Sequence, residues 1–429
     1  MQISFKTQLF TNNRQATYMA KASGTARFVW NWALANWNEQ YQQVKEGKRD
    51  NKPNGMSLKK EFNAIKKSDY PWVYEVTKYA SQQPFIHLGR AWSEYFKGNR
   101  NRPKFKKKGR CRDAFYIGGD QVKVRGRFVK VPNLGWVRMA EQIKYGGHIN
   151  SMTISRRADK WYVSFSINVE VSMLPCQNQA DVGVDLGIKA LATLSRGEIR
   201  YWFSPKPLQQ NLRKLARYQR RLAKKVKGSN GYKKLRMKIA RLHKRIADIR
   251  SNTLHQLTCY LVKNFSDITI EDLNVKGMLS NGRLARHIAD VGFYEFRRQL
   301  EYKCQNFMVR LNVADRWYPS SKRCSSCGRH NPNLTLSDRA YRCECGLEIC
   351  RDHNAAINLE SYTARSAGIH DAGDNGSVPA ARQQGQPVSL NASESIKPHD
   401  QVCVGISERN LRDDRKQKSS CVTRAFFFK

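Results

Sequence analysis

The chain has 429 residues, 40% of them apolar, which suffices for two or three domains with real cores. Lys and Arg number 77 against 35 Asp and Glu, a formal net charge of +42. Spread along the whole chain, that excess implies a polyanionic partner and favours nucleic acid over a membrane surface or a merely solvated basic face.

The opening residues lack a signal-peptide apolar core and no stretch is apolar enough to span a bilayer. A cytoplasmic protein with no membrane partner is therefore expected, its 11 cysteines being thiols or metal ligands and not disulfides. Alternation in ISFKTQLF predicts an N-terminal strand. GTARFVWNWALANWNEQYQQV carries Phe28, Val29, Trp32, Ala33 and Ala35 with Trp37 at spacings suited to a buried helical face. A second helical region, KYASQQPFIHLGRAWSEYFKG, is expected to be interrupted at Pro84. The densest basic run, NRNRPKFKKKGRCRDAF, has no periodicity and reads as a loop.

Short alternating segments from FYIGG to WYVSFSINVE predict a small antiparallel β-barrel, which the N-terminal strand can join with the helices as an insertion. LPCQNQA at 174–180 reads as a linker, and DVGVDLGIKALATLSRGEIRYWF as three short strands. A helical hairpin follows. Leu208, Leu212, Leu215 and Leu222 mark one arm, and Leu235, Ile239, Leu242, Ile246 and Ile249 the other, with outer faces of Lys and Arg. FSDITIEDLNV is a strand, FYEFRRQLEYKCQNF a helix and VRLNVADRWYP a strand; a cysteine cluster and a short helix at DHNAAINLE complete the order. Beyond residue 366 a polar composition without periodicity predicts a disordered tail.

Three acids sit at the edges of apolar elements. Asp185 is the single acid of Val-Gly-Val-Asp-Leu-Gly, Glu271 ends Ile-Thr-Ile-Glu, and Asp352 opens the last helix. Each alone suits a strand end or an N-cap. Together, two strands and a helix offering hard oxygen ligands are what a two-Mg²⁺ phosphodiesterase requires. Cys324-Ser-Ser-Cys327 and Cys343-Glu-Cys345 match one structural Zn²⁺ held by four thiolates. The second half-site is tighter than Cys-x2-Cys, so Cys350 or His330 can substitute as a ligand. Lys104, Lys106, Lys107, Lys108 and Arg110 form a run suited to phosphates, or to no more than a charged loop.

ARFVWNWAL, KFKKKGRCRDAFYI, VGVDLGIKALATLS, ITIEDLNVKGM, YPSSKRCSSCG, CECG and RDHNAAINL, in this order, resemble the transposon-encoded TnpB family, compact relatives of type V CRISPR effector nucleases. The resemblance covers the chain to about residue 365. It implies a multidomain α/β protein: a wedge β-barrel (1–11 and 101–173) with an inserted helical recognition domain (12–100), then an RNase H-like RuvC domain (174–320 and 348–365) with an inserted zinc ribbon (321–347), and a tail at 366–429.

It also implies an RNA-guided DNA endonuclease of bacterial or archaeal, nucleoid-associated setting. Its partners would be a guide RNA and double-stranded target DNA bearing a short adjacent motif, one monomer acting on one RNA. Asp185, Glu271 and Asp352 would be the catalytic, Mg²⁺-binding acids, and Lys78, Ser81 and Gln82 would approach the adjacent motif. Relatives often carry Asp-Arg-Asp where this chain has Cys350-Arg351-Asp352. The alternatives are a nuclease-impaired RNA-guided DNA-binding regulator and a transposase or recombinase.

Overall fold

In the computed structural model, which describes residues 1–169, 180–335 and 337–367, the N-terminal alternation becomes strand β1 (Gln2–Phe10). Asn12 then starts helix α1 (Asn13–Lys45) through a capping box: its Oδ1 accepts from Gln15 N at 2.8 Å, and Asn12 N donates to Gln15 Oε1 at 3.1 Å. A second Asn cap, Asn54, starts α2 (Gly55–Ile65), a helix the sequence reading passes over.

Helix α3 (Lys78–Phe96) runs through Pro84 without a break, contrary to expectation. The lost backbone rung is offset because Pro84 is buried, on a helix that also buries Phe85, Leu88 and Trp92. The three helices share an aromatic core in which Trp37 and Trp92 stack at 5.6 Å.

Strands β2 (Ala114–Gly118), β3 (Lys123–Arg125), β4 (Phe128–Val131), β5 (Gly135–Met139), β6 (His148–Arg157) and β7 (Lys160–Asn168) follow. With β1 they form an antiparallel sheet in the order β2-β6-β7-β1-β5-β4-β3. The N-terminal strand thus lies mid-sheet and the helices are an insertion between β1 and β2, as expected. The ladder differs from a closed barrel: among the described residues β2 and β3 remain edges, and the sheet closes on a shared apolar core, including Leu9, Val137, Ile154 and Phe165, without a final pairing.

The second half opens with β8 (Asp181–Leu186), β9 (Ala190–Leu194) and β10 (Tyr201–Phe203). Helices α4 (Pro207–Ala223) and α5 (Asn230–Asn264) form the hairpin. Its buried seam is shorter than the leucine pattern suggests, centring on Leu215, Leu242 and Ile246. Then come β11 (Asp267–Glu271), α6 (Val275–Ser280), α7 (Ala285–Val291), α8 (Phe293–Phe307) and β12 (Arg310–Ala314). The small pair β13 (Ala340–Arg342) and β14 (Glu348–Cys350) precedes α9 (Arg351–Ala367).

The second sheet has the order β10-β9-β8-β11-β12, with β8, β11 and β12 parallel. The C-terminal half of α5 and helix α8 bury Leu257, Leu261, Phe296 and Leu300 in this domain's core. The expected tail beyond residue 367, and all but the last residue of the expected linker, lie outside the described residues. No helix among the described residues is long and apolar enough to cross a membrane. Cys259 corrects the expectation of thiols throughout, since it is disulfide-bonded.

One buried cation stands out. Lys303 of α8 is fully enclosed, its amine 2.6 Å from Thr258 Oγ1 and 3.2 Å from His255 O, and burial lowers its pKa to about 7. Between that value and the ordinary lysine range the unfolded chain binds the extra proton, so the Lys303 contribution to stability rises with pH from about 7 to 10. Lys303→Met is expected to stabilise the fold by about 1–4 kcal/mol at pH 7 and to flatten this rise, measured by urea denaturation at pH 7 and 9. An unchanged slope would refute the assignment.

Candidate functional site

Strands β8 and β11 run parallel, with Ile270 opposite Val184, so the next residues, Asp185 and Glu271, leave adjacent strands at the same edge. The third acid arrives on α9, and a glycine permits its approach. A Cβ on Gly183 would lie 1.9 Å from Ala356 O and 2.4 Å from Glu360 N, so the helix backbone rests directly on the strand. Asp352, one turn before Ala356, is thereby carried to Asp185.

The electrostatics register the convergence. Burial pushes the Asp185 carboxyl well above its usual range, and the Glu271 and Asp352 carboxylates push it further, against a smaller opposing effect of Arg351. Burial likewise raises Glu271, partly offset by a hydrogen bond that Ser320 Oγ donates to Glu271 Oε1. Arg351 lies 3.2 Å from Asp352, whose side chain is 29% exposed.

The neighbouring acid is different: Asp272 is bridged by Arg297 at 2.6 Å and Arg316 at 2.5 Å, which hold it below the carboxylate range. Carboxylates that act on one another's charge, with one guanidinium nearby, are oxygen donors of the kind that divalent cations take. Sequence reasoning missed Ser320 and Arg351; no local pattern signals either. Cys350 and Asp352 both lie near enough to Tyr201 to raise its hydroxyl pKa, after burial.

The Sγ atoms of Cys324, Cys327, Cys343 and Cys345 lie within 4.8 Å of one another, with Cys324–Cys345 at 3.7 Å and Cys327–Cys343 at 3.5 Å. A tetrahedral zinc with bonds near 2.3 Å has edges of roughly 3.8 Å. The Cys-x-Cys half-site therefore closes the set, and His330 and Cys350 lie outside it. Burial raises the Cys324 thiol, but the Cys327 and Ser326 amides outweigh it and bring the thiol down to about 7, toward the thiolate a metal needs. The cluster can hold a structural zinc ion.

It is tied to α9: Asn354 Nδ2 donates to Arg323 O at 2.6 Å and Asn358 Nδ2 to Ser320 O at 2.8 Å. Cys324→Ser is expected to lose the zinc and lower the melting temperature, read by metal analysis and thermal denaturation. Full zinc content in that variant would count against the cluster.

The basic loop is pinned rather than free. Trp30 Nε1 donates to Lys104 O at 3.1 Å, Asn31 exchanges hydrogen bonds with the Lys106 backbone, and Arg236 of α5 donates to Gly109 O at 2.9 Å. Lys104, Lys107, Lys108 and Arg110 are exposed. Lys106 instead lies 3.7 Å over the Trp30 ring, and burial lowers its amine to about 8. Lys78, Ser81 and Gln82 line a cleft of about 240 Å³, where Lys78 also meets Asp120 at 3.2 Å.

Three family descriptions match parts of the chain: "Probable transposase" over 164–282, "Cas12f1-like, TNB domain" over 293–359 and "Helix-turn-helix domain" over 1–47. The first spans Asp185 and Glu271; the second spans the four cysteines and Asp352. Residues 13–45 of the third form one continuous helix. A protein of Streptomyces pristinaespiralis named RNA-guided DNA endonuclease is 34% identical over 364 residues, 83% of this chain and 88% of that protein. Escherichia coli (strain K12) InsQ, of the same name, is 35% identical over 376 residues, covering 83% and 91%. A solved chain of a "Cas12f1-sgRNA-target DNA complex" shares 15% identity over 81% of this chain and 83% of its own, with TM-score 0.49.

Proposed function

This chain belongs to the TnpB family, transposon-encoded relatives of type V CRISPR effectors, and we propose that it is an RNA-guided DNA endonuclease whose chemistry rests on Asp185, Glu271 and Asp352. The observation that carries the site is the convergence of these acids at the β8–β11 edge under α9.

Asp185, Glu271 and Asp352 would hold two Mg²⁺. When bound, the ions supply water activation and charge stabilisation at the leaving 3′-oxygen. The protein's own part is placement: Ser320 fixes one Glu271 oxygen, Arg351 steadies Asp352, and Gly183 sets the depth of α9. Asp352 still bears on Asp185, so the departure at Cys350 leaves the third acid beside the first, which supports a nuclease over a nuclease-impaired regulator.

Residues 1–11 and 101–173 would be a wedge around the helical insertion at 12–100, and 174–320 with 348–365 a RuvC-type nuclease domain. Residues 321–347 would form a ribbon in which Cys324, Cys327, Cys343 and Cys345 would hold a single structural zinc. Lys104, Lys107, Lys108 and Arg110 would follow a phosphate backbone, and the Lys78–Gln82 cleft would face the motif beside the target. One monomer would act on one RNA.

The deciding assay combines the protein, co-expressed with the RNA of its transposon end, with matched target DNA and Mg²⁺. Cutting that needs all three supports the reading. Protein that purifies without RNA would sink both guided alternatives, and strand joining in place of cutting would favour a recombinase.

A further inference from the structure

The outer face of the first sheet has an order that its register makes explicit. Arg125 pairs with Phe128, Phe128 with Arg138, and Arg138 with Phe10, so these four side chains form one row across β3, β4, β5 and β1. The next row runs Lys123, Lys130, Trp136. The intervening residues Val129, Val137, Met139 and Leu9 face the core. Phe10 is 50% exposed, and Phe128 and Trp136 are 45% exposed each. The Arg138 guanidinium lies 5.7 Å from the Phe10 ring centre. No outward position of β3, β4 or β5 carries a carboxylate. Toward β7 the same face is already covered, where α5 lays Lys244 at 5.3 Å over the Tyr162 ring.

Flat rings interleaved with cations on a sheet are the chemistry that holds unpaired nucleic acid: bases stack on the rings while Arg and Lys neutralise the phosphates. A duplex, whose bases are already stacked, cannot use the rings. Three half-wet aromatic residues on one face also call for a partner present throughout the protein's working life, which favours a resident RNA over a transiently visited DNA target.

We propose that this open half-face of β3, β4, β5 and the end of β1 is a stacking platform for an unpaired segment of the bound RNA. The inference rests on the RNA-guided reading above.

The test uses the full chain purified with its RNA. Ultraviolet crosslinking is expected to join RNA to the peptides carrying Phe128 or Trp136. After the co-purified RNA is stripped by nuclease and high salt, the double variant Phe128→Ala/Trp136→Ala should bind a short oligouridine about tenfold or more weaker per ring than the stripped wild type, with an unchanged melting temperature. Phe128→Tyr/Trp136→Phe should retain binding, because the stacking surface survives.

Crosslinks confined to other regions, with oligouridine binding unchanged in the double alanine variant, would overturn the platform. So would preferential binding of oligodeoxythymidine, or a loss of self-association in place of RNA affinity. A wild-type protein that carries no RNA defeats the guided reading itself. RNA carried equally with and without the two rings defeats only the platform.

Discussion

Asp185→Ala is expected to reduce target cutting by at least about 10³, because it removes the one acid that the other two face, and with it several kcal/mol of transition-state stabilisation. Binding of matched DNA by the RNA-loaded protein should survive, since base pairing and the basic surfaces do not depend on this carboxylate. Cleavage and electrophoretic mobility shift, measured on the same preparation, separate the two effects. Asp272→Ala is the control: two arginines already hold that acid, so its loss should leave cutting far less affected. Cutting that persists in Asp185→Ala, or is lost equally in Asp272→Ala, would refute the site.

Gly183→Ala should be the most damaging single-methyl change. The new Cβ meets backbone atoms of α9, which cannot rotate aside, so the helix must lift from β8. Overpacking of this kind destabilises by about 1–3 kcal/mol, visible as an earlier urea midpoint. Lifting α9 also withdraws Asp352, and misplacement by about 1 Å alone can lower a rate by 10². Gly146→Ala, where an added Cβ has open space, should be neutral in both measurements. A Gly183→Ala protein with normal stability and normal cutting would show that α9 does not set the third acid.

Much of this was legible beforehand because it is local. Alternation marked β1 and β6–β7, apolar runs marked β8 and β11, and the cysteine spacing offered four ligands while leaving Cys350 and His330 as substitutes until the fold gathered the four sulfurs. What stayed illegible depends on how distant segments cross. Glu271 and Asp272 are neighbours in sequence, and only the parallel pairing with β8 decides which of them meets Asp185. Gly183 reads as an ordinary strand glycine until a helix from residues 351–367 lands on it.

Pro84 escapes a local reading because the burial that offsets a breaker's penalty comes from tertiary packing. Alternation gives the seven antiparallel strands around one core, but it reports that a strand has two faces, not whether the last strand returns to the first, so closure is legible only in the pairing. Lys106 belongs to a run of like residues, and only the Trp30 ring beneath it distinguishes it from the exposed members.

Helix α9 follows the first sheet by a long stretch of chain, which orders the two during biosynthesis. The first sheet is complete once β7 has left the ribosome, because β1 waits only for β7 and β5 to pair. Asp352 follows roughly 180 residues later, an interval of about 10–40 s at ordinary translation speeds. The nascent chain thus displays its sheet well before its third acid exists, so RNA capture can precede the arming of the nuclease.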